Sequence, residues 1–168
     1  MKRTILSLLA MLPLLMAAQS SIATVDRQAV FEAMPAASEA AKMLSERNER
    51  YRSEYETLQA DFNKNFAAYQ RLNADAATPP SILERRLKEI QSDNAKIDSF
   101  LDESRKDLDE FKRQLEQPIY DEVDAAIADV AKQMHLTYVF DISVTPLAYR
   151  DPEAVDITAA VMRKLGLR

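Results

Sequence analysis

The sequence predicts an α+β chain, mostly helical, in which a small strand-containing body carries a long protruding antiparallel coiled-coil hairpin. Three observations lead there. Two ladders of residues repeat every seven positions between Ala37 and Leu115. A double proline, Pro79-Pro80, lies midway between them. Strand-forming material is confined to the two ends of the chain.

In the first ladder Ala41, Asn48, Tyr55, Phe62, Tyr69 and Ala76 interleave with Ala37, Leu44, Tyr51, Leu58, Asn65 and Leu72. In the second, Leu87, Asn94, Leu101, Leu108 and Leu115 interleave with Leu83, Ile90, Ile97, Ser104 and Phe111. Alternating steps of four and three keep one stripe of a helix turned toward a partner helix. Proline lacks the amide donor that an interior helical position needs, so the chain turns back between the ladders.

Taken in chain order, the first twenty residues stand apart from the fold. Met1-Lys2-Arg3 is a basic start, Ile5 to Met16 is an apolar run, and small residues follow in Ala17-Ala18-Gln19-Ser20. This is the pattern of a secretory signal peptide over 1–20, with cleavage after Ala18 or after Ser20. Ile22 to Asp26 reads as a short strand and Gln28 to Ala33 as a brief helical or turn segment. Pro35 suits the first turn of a long helix that meets no interruption until about Ala77. Some forty residues at ~1.5 Å each make about 60 Å of helix. The tip spans 75–81, with Ser81 and Glu84 disposed as a capping box for the return helix. That helix reaches Pro118, where a kink or break is expected, and Ile119, Val123, Ile127, Val130 and Met134 continue at helical spacing. Thr137 to Ile142 is β-branched and aromatic and reads as a strand. Leu147-Ala148-Tyr149 is a candidate for a second short strand. Asp156 looks like the cap of a last helix over Ile157 to Leu165, closed by Gly166. The organisation is therefore a body built from 21–35 and 118–168 and a hairpin over 36–117. A body of that size falls where oligomerisation often supplies missing core.

Seam pairs share a register. Leu72 with Leu87, Tyr69 with Ile90, Phe62 with Ile97, Leu58 with Leu101 and Leu44 with Leu115 have residue numbers that all total 159, with the midpoint on the Pro79-Pro80 bond. The same register sets Asn65 opposite Asn94, as a polar layer that locks the alignment; the alternative is that each amide is simply solvated. Phe66, Phe100 and Ile82 fall outside the seam and are the candidates for contacting a partner, with widening of the seam as the other reading. Arg71, Arg85, Arg86 and Lys88 cluster about the tip and could meet an anionic partner or a lipid surface, or serve only as solvation.

Without Lys2 and Arg3, the 22 basic residues fall to 20 against 27 acidic ones, a net charge of −7. An acidic chain without a basic stripe is a poor partner for nucleic acid. The absence of cysteine removes disulfides and thiol chemistry, and the single glycine excludes glycine-rich phosphate loops. His135 has no second histidine or carboxylate at ligand spacing, and Asp121, Glu122, Asp124 and Asp129 follow the phase of a polar helix face. Neither a catalytic set nor a metal set nor a cofactor motif emerges, so the reading is of a non-enzyme.

With these elements placed, the chain resembles the OmpH/Skp-like periplasmic chaperones of Gram-negative bacteria over nearly its whole length after residue 20. Ile22-Ala23-Thr24-Val25-Asp26 with Val30-Phe31 and Pro35 resembles the family's first strand and the start of its long helix. Tyr138-Val139-Phe140-Asp141, then Ala148-Tyr149 and Asp156-Ile157-Thr158, resembles its C-terminal strands and last helix. The resemblance implies a soluble periplasmic homotrimer whose strands form a trimerisation body and whose three hairpins surround a cavity. Unfolded outer-membrane β-barrel proteins would be held there without ATP and kept from aggregating. The best-known members are basic and favour anionic clients and lipopolysaccharide. The hairpin here has 14 basic and 17 acidic residues, so no lipopolysaccharide set is carried over and apolar contacts gain relative weight. The competing reading is an envelope coiled-coil adaptor binding one folded partner. Such an adaptor should concentrate a hot spot on one face of an arm, whereas the off-seam apolar residues here are few and scattered.

Overall fold

The computed structural model describes residues 21–167, so the expected signal peptide lies outside the described residues. The elements run β1 (Ile22–Val25), α1 (Arg27–Ala33), α2 (Pro35–Ala74), α3 (Pro80–Gln133), β2 (Tyr138–Asp141) and α4 (Thr158–Lys164). They form two units. One comprises Met34–Tyr120; the other gathers residues 21–33 and 121–167.

The second of these, the body, is organised on β1. It pairs in parallel with β2 in the register Ile22 to Tyr138 through Val25 to Asp141. On its other edge the Thr24 amide donates to the Val155 carbonyl at 2.9 Å, and the Ile157 amide donates to the Thr24 carbonyl at 2.9 Å. These bonds form a parallel bridge between Thr24 and Asp156. Segment 155–157 lies on this edge, whereas Leu147-Ala148-Tyr149, the candidate for a second short strand, form no strand and are exposed. The reason is that the two backbone groups of Thr24 are satisfied by 155–157, just before α4, leaving that edge filled.

Short caps fix the small helices. Asp26 Oδ1 accepts the Ala29 amide at 2.8 Å and so caps α1. The amide of Asp26 itself donates to Thr158 Oγ1 at 2.8 Å, joining the start of α1 to the start of α4. The cap of α4 is Ile157 rather than the expected Asp156, which stands one residue earlier and accepts the Thr158 amide on Oδ1 at 2.9 Å. Beyond α4, Gly166 lies at φ 72°, a left-handed residue after a helix end, where glycine carries no steric cost. Val30, Val123, Val161 and Ile157 are fully buried, with Ala23, Val25, Ala126 and Val130 around them. Val123, Ala126 and Val130 are the inward stripe of the last turns of α3, at the three- and four-residue steps that one helical face requires.

The other unit is the hairpin. Helix α2 has 40 residues with Pro35 in its first turn, and Asp75 ends it. Asp75 also shapes the turn, its carbonyl accepting the Thr78 amide at 3.0 Å and its Oδ1 the Ala77 amide at 2.9 Å. The return helix begins with Pro80 rather than with a Ser81 cap. The Pro79 carbonyl accepts the Ile82 and Leu83 amides at 3.0 and 3.4 Å, and proline's fixed φ and missing donor suit a first helical position. Helix α3 then runs unbroken for 54 residues through Pro118, so the expected break does not occur. The lost bond at Pro118 is one of dozens, and buried Ile119 and Val123 on either side of the unit boundary keep the helical phase.

Candidate functional site

Cross-hairpin contacts establish the register of the arms. Arg47 lies over the Phe111 ring at 3.6 Å, Tyr51 Oη donates to Asp107 Oδ2 at 2.7 Å, and Asn65 Nδ2 donates to Asp93 Oδ2 at 2.7 Å. Each of these pairs joins a seam residue to the chain neighbour of its expected partner, as a knob meeting a hole does in a register that totals 159. Asn65 thus bonds Asp93, the chain neighbour of Asn94, rather than the Asn94 side chain itself. Asn94 is exposed and donates along its own helix to Asp98 at 3.5 Å. A carboxylate is the stronger acceptor for an amide than another amide, which explains the preference. The bond from Asn65, joined by one from Lys96, holds the Asp93 carboxyl below its ordinary pKa. Hydrogen bonding to Asp107 correspondingly raises the phenol of Tyr51.

The three residues singled out beside the seam differ from one another. Phe66 is 40% exposed and stacks on Phe62 one turn earlier, with centroids 6.0 Å apart and planes 4° from parallel. Phe100 is half-buried, edge-on to Tyr51 of the facing helix at 5.9 Å and 74°. It packs across the hairpin. Ile82 is half-buried in the first turn of α3.

At the tip, Arg85 and Arg86 both reach Glu89, at 3.9 and 2.7 Å, while Arg71 and Lys88 are exposed. Arg86 also buries Nε without a hydrogen-bond partner. Half of the basic cluster is therefore spent on one local carboxylate.

Sequence reasoning assigned Leu87 and Leu101 to the seam, yet they are 43% and 40% exposed, and Met43 is 39% exposed. Two helices cover many seam residues from one side only, so heptad positions such as Leu87 and Leu101 are half-buried, while Ile90 is buried. The arm grooves are open depressions with charged rims, such as the one lined by Leu58, Phe100, Glu54, Lys96 and Glu103. In the body, Ile22, Tyr138 and Phe140 are exposed along the sheet, and Val144 and Tyr149 in the following loop are each 77% exposed. The alternation of Tyr138 and Phe140 in the sequence was the available signal for this apolar face.

Among the described residues no helix is long and apolar enough to cross a membrane. The solved structures that the chain resembles include the crystal structure of a candidate outer membrane chaperone (OmpH-like) from Caulobacter crescentus CB15. The two share 15% identity and a TM-score of 0.67, over 88% of this chain and 85% of that one. No curated protein matches the chain at a significant level. The family model described as outer membrane protein (OmpH-like) matches residues 21–165. The protein is thus a member of the OmpH-like family, with the fold of a helical hairpin joined to a small strand-bearing body.

Proposed function

We propose that this protein is an ATP-independent periplasmic holdase that binds unfolded outer-membrane β-barrel proteins between the hairpins of a homotrimer and prevents their aggregation. The observation that carries the reading is the surface of the hairpin in a chain of the OmpH-like family. Met43, Phe66, Leu87 and Leu101 are spread along the two arms, each about two-fifths exposed. Scattered, partly covered apolar side chains offer many weak contacts to an extended client and no single deep anchor. A client that must leave without an energy source is better held that way.

Self-association is supported by the body. A two-stranded sheet is marginal in water alone, and among the described residues β2 has no strand on its outer edge. Exposed Ile22, Tyr138, Phe140, Val144 and Tyr149 are the apolar surface that copies of the chain would cover. The acidic balance of the arms makes their apolar positions, rather than charge attraction, the main means of holding. The tip residues Arg71 and Lys88 are the side chains for any peripheral contact with lipid or lipopolysaccharide.

The test measures mass in solution together with aggregation of an unfolded outer-membrane β-barrel protein at one trimer per client. A trimer that suppresses aggregation without nucleotide is expected. A monomer with no effect on aggregation removes the reading.

A further inference from the structure

The stretch of hairpin around Tyr51 has two polar seam positions, Asn48 and Ser104. Asn48 is exposed, and Ser104, although buried, spends its hydroxyl on the Leu101 carbonyl at 3.2 Å. Neither contributes apolar burial across the pair. Here side chains from opposite helices interlock. Arg47 places its guanidinium over Phe111 at 3.6 Å and its Nη1 2.9 Å from Asp107 Oδ2. Tyr51 donates to the same Oδ2 at 2.7 Å and meets Phe100 edge-on. One carboxylate oxygen thus accepts from two residues of the facing helix, and both donors also touch an aromatic ring on the carboxylate's own helix.

We infer that Arg47, Tyr51 and Asp107, backed by Phe100 and Phe111, form an ionic latch that closes the arm where the seam is weak and whose strength depends on ionic strength. The Arg47 and Asp107 side chains are 30% and 44% exposed, so dissolved ions reach the pair and screen it. The cation over the ring adds an attraction that a hydrocarbon side chain of similar length lacks. When the pair is screened, the arm opens locally between about residues 44 and 55 and their partners between 100 and 111, while the body keeps its fold. The inference stands on the hairpin alone and does not require the holdase reading.

Hydrogen exchange on the full chain tests it, comparing about 0.01 M with about 1 M salt, where the screening length falls from ~30 to ~3 Å. In low salt, Arg47→Met and Asp107→Asn should each accelerate exchange in those two segments about three- to tenfold, the range of one exposed ion pair with a cation–ring contact. The double variant should be little faster than either single one, because both remove the same contact. High salt should accelerate these segments in the wild type and leave them nearly unchanged in Arg47→Met. Body amides over 121–130 serve as the internal reference. Unchanged exchange in both variants overturns the latch. So does a salt response that survives Arg47→Met, or an acceleration equally large in the body.

Discussion

The two units bury their apolar side chains to very different degrees. In the body Val123, Ile157 and Val161 are shielded from solvent entirely, whereas no leucine of the hairpin is buried. Around the body sheet, backbone pairing on both edges of β1 and contact between α1 and α4 surround each core residue. Along the hairpin most leucines of the seam meet one neighbouring helix and otherwise water. Cooperative stability should therefore reside in the body, and the arms should be held by the sum of small local terms. A long helix is not, by virtue of its length, a stable one.

The largest effect separates the units outright. Ile157→Ala should cost about 3 kcal/mol, the loss of a buried side chain plus the cavity it leaves. Leu101→Ala, at a position 40% exposed, should cost only about 1 kcal/mol. Urea denaturation of both variants checks this. Equal losses would mean that the arm is as well packed as the body.

The same contrast explains what was legible in the sequence. The ladders and the double proline give the hairpin and its turn, because a seven-residue repeat is a long signal averaged over many positions. Single-residue details escaped it. Pro118 passes through α3 because helical phase on both sides outweighs one missing donor. The other edge of β1 is bonded by 155–157 and not by 147–149, a choice made by backbone bonds of Thr24 that side-chain pattern does not encode. The Asn65 amide bonds Asp93, next to Asn94, because a carboxylate is the stronger acceptor. Of the candidate surface, Phe66 and Phe100 were indistinguishable by spacing, and only the facing Tyr51 separates them.

Phe100→Ala is the next step down, and it probes whether the arm is locked across the seam. Removing the ring takes away an aromatic edge contact and part of a half-buried side chain, about 1–2 kcal/mol in all. Exchange in 47–55 of the facing helix should quicken. If only 97–104 responds, Phe100 does not bridge the helices.

A smaller effect is expected from acid at the Asn65–Asp93 layer. The folded Asp93 pKa is depressed, first by the bond from Asn65 and then by that from Lys96. A depressed carboxylate contributes stability that is complete above its unfolded pKa of about 3.9 and is lost as pH falls through the lower folded value. Asp93→Asn should therefore be less stable than the wild type at neutral pH, by under about 1 kcal/mol. The gap should close as the pH drops below about 4. A gap independent of pH would assign the layer to packing.

Phe66→Ala should have the smallest effect on folding, because its ring stacks only on Phe62 of its own helix and leaves two-fifths of its surface in water. A change in stability below about 0.5 kcal/mol is expected for such a site. Under the proposed holdase function the same substitution should weaken suppression of client aggregation, since an exposed ring that does little for the arm is free to meet a client. Phe100→Ala gives the opposite pattern if its role is to hold the helices together, with stability lost first and holding affected only through it. Measuring melting and client aggregation on both variants places each ring on one side of that division. If Phe66→Ala melts early, its ring belongs to the seam, and the exposed apolar surface of the arm rests on Met43, Leu87 and Leu101.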